Sequence, residues 1–62
     1  MLPEEGRIVT AWDKLVQRYR TGIVKHWYSH DLKGFVLMSY TGNRIASMYD
    51  DVEWRYVDEP KG

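Results

Sequence analysis

Apolar and polar positions along the chain fall into five short runs, and no run keeps a helical period for long. The runs are rich in β-branched and aromatic residues and are separated by turn-forming residues, which is the pattern of strands joined by tight connections. Residues 13–20 come closest to a 3.6-residue apolar repeat, but only over two turns. We therefore predict five strands, at residues 7–12, 19–29, 35–40, 44–49 and 54–57.

Three of the connections carry specific turn signals. Thr41-Gly42-Asn43 indicates a tight hairpin turn between the third and fourth runs, because Gly and Asn tolerate positive φ. Residues 30–34, which end in Gly34, form the predicted loop before the third run. Asp50 followed three residues later by Glu53 is the capping-box pattern, and it predicts one short 3-10 turn before the last strand.

The third run is apolar on both of its faces, which alternate along a strand. One of these faces packs in the core, and we expect the other to be covered as well. Either Trp54 or the segment before it folds over that face, or a second copy of the chain covers it in a homo-oligomer. The two faces are Phe35 with Leu37, and Val36 with Met38 and Tyr40.

The length of 62 residues predicts one small domain, which buries only about 60% of its unfolded surface. The absence of cysteine excludes disulfides and thiolate metal sites. Closing the five strands into a small barrel would protect the two exposed sheet edges. We predict one all-β barrel domain over residues 7–57, with tails at residues 1–6 and 58–62, where proline and clustered charge favour fraying.

Charge and hydropathy restrict the location and the partners. The longest apolar run is residues 35–38, and residues 1–5 lack the basic and apolar regions of a signal peptide. We therefore expect a soluble intracellular protein, nuclear or cytoplasmic, with no membrane partner. The net charge is zero, but residues 7–33 are basic and the residues after Tyr40 are acidic. Such a polarised chain can orient a charged partner, although it lacks an overall basic excess.

Three motifs suggest a family. The first run contains Gly6-Arg7-Ile8-Val9-Thr10-Ala11-Trp12, the second begins Tyr19-Arg20-Thr21-Gly22-Ile23-Val24, and Tyr40-Thr41-Gly42-Asn43 ends the third. Their order resembles that of the Tudor and chromo-barrel group of SH3-like barrels, over residues 6–57. The resemblance implies a small five-stranded SH3-like barrel of Tudor type.

Tudor domains hold methylated lysine or arginine in a cage of aromatic faces. The resemblance implies a partial cage at Trp12, Tyr19 and Tyr40, with Asn43 in the turn where many relatives carry an acidic residue. A methylated ammonium cannot donate a full set of hydrogen bonds, so aromatic rings hold it by cation–π attraction and apolar contact. The alternative is that Trp12 and Tyr40 pack in the core or at the rim of the barrel.

A second resemblance points to an enzyme. Gly22-Ile23-Val24 followed by Trp27-Tyr28 is similar to a segment of the plasmid-borne type II dihydrofolate reductases, which are SH3-like barrels with one active site in a tetramer. That family contacts substrate and cofactor through a Val-Gln-Ile-Tyr stretch. Here Ala46-Ser47-Met48-Tyr49 keeps the tyrosine and loses the glutamine. Because no amide donor replaces it, we predict a protein that is not an enzyme and uses no cofactor.

Catalytic and metal-binding signals are weak. Ser29-His30-Asp31 contains the residue types of a triad, but neighbours on a strand end cannot converge on one another. His26 and His30 are four residues apart, a spacing that brings ligands together on a helix and not on a strand. The acidic residues at positions 50–53 fit a capped turn better than a cation site. We predict no catalytic residue and no metal site.

The main alternative to peptide recognition is nucleic-acid binding. Basic and aromatic side chains that interleave supply phosphate contacts and base stacking, as in single-strand binders. Trp27 and Tyr28 are adjacent in a strand, so they face opposite sides and at least one is exposed. The candidate residues are Arg18, Arg20, Lys25, Trp27, Tyr28 and Lys33.

The sequence therefore predicts a non-catalytic binding module. Its expected partner is a peptide or protein, methylated or unmodified, bound at Trp12, Tyr19, Tyr40 and Asn43. Nucleic-acid binding and homo-oligomer formation are the two alternatives.

Overall fold

The computed structural model describes residues 1–57. They contain five strands: β1 (Ile8–Asp13), β2 (Arg18–Ser29), β3 (Leu32–Met38), β4 (Arg44–Tyr49) and β5 (Trp54–Tyr56). The strands form one antiparallel sheet in the order β4-β3-β2-β1-β5, which confirms the all-β class and the five strands. No helix in this part of the chain is long and apolar enough to cross a membrane.

The core lies on one face of the sheet. Alternate residues of β1 to β4 point into it, and Phe35 and Leu37 at its centre are fully buried. A fully buried side chain of this size contributes about 1.5–3 kcal/mol relative to an exposed one. The buried apolar residues are Val9, Ala11, Val24, Phe35, Leu37, Ala46 and Met48.

The long strand β2 divides the sheet into two halves. Its residues 18–23 pair with β1, and its residues 23–29 pair with β3. Gly22 lies at the join, where a Cβ atom would stand only 2.8 Å from the Cβ of Leu37. We call β5, β1 and residues 18–23 the first half, and residues 23–29, β3 and β4 the second half. Strand pairing does not close the sheet, because β4 and β5 are its two edges.

The predicted start of the third strand was wrong. β3 begins at Leu32, so the loop before it shrinks to His30 and Asp31. Gly34, interpreted as a turn residue, lies inside β3 opposite Trp27. A Cβ atom at Gly34 would collide with the Met48 carbonyl oxygen and stand 2.7 Å from the Trp27 indole, so this glycine makes room for the β4 backbone and an aromatic ring rather than for a turn.

The predicted 3-10 turn before the last strand is also wrong. Residues 50–53 form a turn with one hydrogen bond, from the Val52 N–H to the Tyr49 carbonyl at 3.3 Å. The Glu53 carboxylate accepts the Tyr19 hydroxyl instead of capping a helical turn, and the Glu53 carbonyl accepts the Trp12 N–H at 2.9 Å. Glu53 is therefore tied to the neighbouring strands.

The predicted hairpin turn between the third and fourth strands is confirmed. Gly42 has a φ of 91°, and its N–H donates to the Ser39 carbonyl at 3.0 Å. β3 nevertheless ends at Met38, so Tyr40 belongs to the turn and is 97% exposed.

Trp54 packs against the core, so it does not cover the face that carries Val36 and Met38. That face remains the outer surface of the sheet.

Residues 1–6, predicted as a tail, form no strand but make contacts with β2. Pro3 is buried, and its carbonyl lies 2.7 Å from Nε2 of His26. The backbone N–H of His26 donates to the Glu5 carboxylate at 2.8 Å. The N–H of Gly6 donates to the Val24 carbonyl at 2.9 Å.

The same segment also contacts β5. The indole N–H of Trp54 donates to the Met1 carbonyl at 3.1 Å, and the Glu4 N–H donates to the Tyr56 hydroxyl at 2.8 Å. The Arg7 guanidinium lies 3.9 Å from the centre of the Tyr56 ring. The segment therefore connects β5 with β2. The predicted tail at residues 58–62 lies outside the described residues.

Candidate binding cleft

A cleft of about 400 Å³ opens between the β1–β2 loop and the end of β4 with the turn that follows it. Its walls are mainly apolar, and two carboxylates and one ammonium group lie among them. The residues lining it are Trp12, Asp13, Lys14, Leu15, Ser47, Met48, Tyr49, Asp51 and Val52.

Asp13 holds the loop side of the cleft in place. It is only 7% exposed, and its Oδ1 accepts the Leu15 N–H at 3.0 Å. Its backbone carbonyl accepts the N–H of Gln17 at 2.7 Å, and Gln17 takes a φ of 55°. These bonds close the four-residue β1–β2 loop and direct Leu15 outwards, where it is 93% exposed.

Arg20 ties the two walls of the cleft together. One guanidinium nitrogen lies 3.5 Å from the Asp13 carboxylate, and another donates to the carbonyl of Ile45 on β4 at 3.3 Å. Because both side chains of the pair are mostly buried, this ion pair is screened less than a surface pair. Arg20 therefore links the β1–β2 hairpin to the edge strand β4.

Trp12 forms the aromatic wall of the cleft on the β1 side. Its ring meets the Tyr19 ring edge to face, with centroids 5.0 Å apart. The Tyr19 hydroxyl donates to the Glu53 carboxylate at 3.2 Å. This bond and the negative charge of Glu53 raise the pKa of Tyr19, because both favour the protonated phenol.

A weak ion pair spans the mouth of the cleft. The Lys14 ammonium lies 4.0 Å from the Asp51 carboxylate, and both side chains are about 70% exposed. Exposed pairs of this kind contribute about 0–1 kcal/mol. An incoming cation can therefore replace Lys14 beside Asp51 at small cost.

The structure brings together two of the four residues implied by the Tudor resemblance. Trp12 and Tyr19 are in ring contact, whereas Tyr40 has no ring contact within residues 1–57. Asn43 lies with Tyr40 in the β3–β4 turn, where its amide donates to the Thr41 hydroxyl at 3.4 Å. Tyr40 and Asn43 do not line the cleft.

Of the residues that line the cleft, the sequence identified only Trp12 as a site residue. Tyr49, Leu15 and Asp51 line it together with Trp12. The sequence did contain a signal for two of them. Tyr49 stands at the end of a strand and Leu15 in a short polar loop, and large apolar side chains outside the core can indicate a binding surface. Nothing in their spacing shows that the two loops meet.

The residues of the nucleic-acid alternative do not share one face. Lys25 and Trp27 lie on the outer face of β2, whereas Tyr28 and its pairing partner Lys33 point the other way. Arg20 is engaged with Asp13 and Ile45. Tyr28 is 72% exposed, as expected for at least one of the two adjacent aromatics.

The histidines occupy different environments. His26 is bonded to the N-terminal segment, and His30 lies in the two-residue loop with a φ of 24°. No hydrogen bond joins the side chains of Ser29, His30 and Asp31 in the described part of the chain. Among residues 1–57, no group of three His, Asp or Glu residues is placed to hold a metal ion.

Comparison with protein families, with curated proteins and with solved structures gave no match. The function must therefore be argued from the geometry of this chain.

Proposed function

We propose that the protein is a non-catalytic binding module that holds a cationic side chain of a partner peptide in the cleft. The observation that carries this proposal is a cleft of about 400 Å³ that combines two aromatic rings with carboxylates. Trp12 and Tyr49 supply the rings, and Asp51 supplies an exposed carboxylate at the mouth.

The chemistry of the cleft suits a lysine or an arginine, methylated or unmodified. Leu15, Val52 and Met48 offer apolar contact to the aliphatic stem of such a side chain. Aromatic rings attract a cation by about 0.5–2 kcal/mol, depending on how far it is desolvated. Methylation favours this environment, because it removes N–H donors that water would otherwise satisfy.

We also propose that the sheet is an SH3-like barrel of Tudor type. Three features support this view. β2 is shared by two sheet halves around one core. The Arg20 bond to Ile45 links the hairpin to the β4 edge. The N-terminal segment connects β5 with β2.

The test is a titration of the protein with four versions of one unstructured peptide. The central residue is trimethyllysine, lysine, asymmetric dimethylarginine or norleucine, and isothermal calorimetry gives the affinities. We expect the cationic versions to bind more tightly than the neutral norleucine version. Replacing Trp12 by Ala should weaken binding of the best peptide about tenfold or more, since this removes one aromatic wall.

Tyr40→Ala is the matched control, because Tyr40 is an exposed aromatic outside the cleft. It should leave the affinity unchanged, and circular dichroism of both variants should match the wild type. Equal binding of the norleucine peptide, or an equal loss with Tyr40→Ala, would contradict the proposal. If Trp12→Ala perturbs the fold, Trp12→Leu, which keeps an apolar wall without a ring, replaces it.

A further inference from the structure

Charge is segregated between the strands and the connections of this protein. The strands carry six basic residues and one acidic residue, Asp13, which is buried against Arg20. Every other acidic residue among residues 1–57 lies in the N-terminal segment or in a turn. The zero net charge of the chain therefore conceals a basic sheet.

The outer face of the second half spans β2, β3 and β4, and its β3–β4 pairing is in register up to Leu37 and Ala46, after which a register shift sets Arg44 opposite Met38. Strand pairing aligns its side chains in three rows, and the three rows contain two cations, two large aromatic rings and no acidic residue. The rows are Trp27, Gly34 and Tyr49; Lys25, Val36 and Ser47; and Ile23, Met38 and Arg44.

This outer face presents both ring surface and cations to solvent. Tyr49 is 55% exposed, and Lys25 and Arg44 are exposed on the two sides of β3. The Trp27 indole lies against the backbone of Gly34 and meets the Tyr49 ring edge to face, with centroids 5.7 Å apart. Packing between Gly34 and Tyr49 fixes the indole, so it is a rigid platform and not a mobile side chain.

The charge of the outer face selects its occupant. A second copy docked face to face by two-fold symmetry would bring four cations, Lys25 and Arg44 of each copy, into one interface whose rows contain no acidic residue, and such like charges are unfavourable. An anionic partner has complementary charge. Among anionic chains, single-stranded nucleic acid also offers flat bases that stack on aromatic side chains.

We propose that the outer face of β2, β3 and β4 binds single-stranded nucleic acid. Lys25 and Arg44 contact phosphates, and Trp27 and Tyr49 stack on bases. This goes beyond the peptide cleft, because it extends over the outer face of the sheet, which shares only Ser47 and Tyr49 with the cleft, and because the partner has the opposite charge. The site differs from the set expected from sequence, since it contains Arg44 and Tyr49 and excludes residues that point to the other side of β2.

The test is fluorescence anisotropy of the full chain with a labelled twelve-residue oligothymidylate at several salt concentrations. Each phosphate contact with a single strand contributes about −0.7 to the slope of log affinity against log salt. Two contacts predict a loss of about sevenfold between 50 and 200 mM salt. The double variant Lys25→Gln with Arg44→Gln should weaken binding at low salt and flatten this slope.

The matched control is the double variant Arg18→Gln with Lys33→Gln. It removes the same charge from exposed positions outside the outer face, so it should leave affinity and slope unchanged. Equal loss in both double variants would overturn the proposal in favour of non-specific charge attraction. So would absence of saturable binding, or equal affinity for a polyglutamate peptide. A dimer seen by sedimentation and abolished by Lys25→Gln with Arg44→Gln would assign the face to a second copy and overturn it too.

Discussion

In the second half of the sheet, apolar burial supplies the cohesion. Phe35 and Leu37 are fully buried, and Met48 on the next strand is 4% exposed. In the first half, polar side chains join the strands. The hydroxyls of Thr10 and Thr21 lie 2.7 Å apart across β1 and β2 on the side away from the core.

The polar contacts of the first half continue towards the cleft. Asp13 pairs with Arg20, and Tyr19 donates to Glu53. Hydrogen bonds such as that of Tyr19 to Glu53 contribute modestly to net stability but fix direction, whereas burial is non-directional. The second half therefore supplies most of the apolar burial that stabilises the domain, and the first half positions the walls of the cleft.

Phe35→Ala is the substitution that we expect to lower stability most. Truncating a fully buried Phe costs about 3–5 kcal/mol, and a core of this size rarely supplies more than that in total. We expect the variant to be largely unfolded at 25 °C by circular dichroism and urea titration. Leu32→Ala, on the same strand but 55% exposed, should change stability by less than about 0.5 kcal/mol. If Phe35→Ala unfolded cooperatively at a urea concentration close to that of the wild type, the second half would not be the main source of stability.

An intermediate effect is expected from Asp13→Asn. Asn keeps an acceptor for the Leu15 N–H but loses the negative charge of a mostly buried ion pair with Arg20, and we expect a loss of about 0.5–3 kcal/mol in stability. The variant should also bind the cationic peptide less tightly. A double-mutant cycle with Arg20→Gln measures the coupling energy between the two side chains. Additive losses would show that the pair does not act as a unit.

The smallest effect concerns Tyr19. Its pKa is raised by the bond to Glu53 and by the Glu53 charge, so the folded state keeps the phenolic proton to higher pH than the unfolded chain, whose tyrosines titrate at about 10. The contribution of this bond is therefore present below that pH and is lost as the pH rises through the raised pKa. NMR titration of ring-labelled tyrosine should show the pKa of Tyr19 falling towards the ordinary value in Glu53→Gln. An unchanged Tyr19 titration would remove Glu53 as the cause.

The sequence predicted the strands well because alternation and turn chemistry are local properties. Strand β4 matches its predicted bounds, and Gly42 forms the predicted turn. Gly34 was misjudged because its role depends on Trp27, which is brought beside it only by strand pairing. Glu53 was misjudged for the same reason, since its carboxylate bonds to Tyr19, 34 residues away.

The candidate site was harder to predict than the fold. Trp12 was identified, and it lies in the cleft. Tyr49 and Leu15 were not, because two loops far apart in sequence form the two walls. The residues of the outer face could be identified only once the pairing register of the strands was known, because shifting a strand by one residue exchanges its two faces.

The contacts of the N-terminal segment constrain the order of folding. The Trp54 to Met1 and Glu4 to Tyr56 hydrogen bonds join residues 53 and 52 positions apart. Bringing such distant residues together lowers the chain entropy before any contact offsets this cost. These bonds therefore form after the local hairpins. During synthesis the first residues emerge long before their partners on β5 exist. The segment can bond to β2 early, but its contacts with Trp54 and Tyr56 form only after almost all of the described residues have been made.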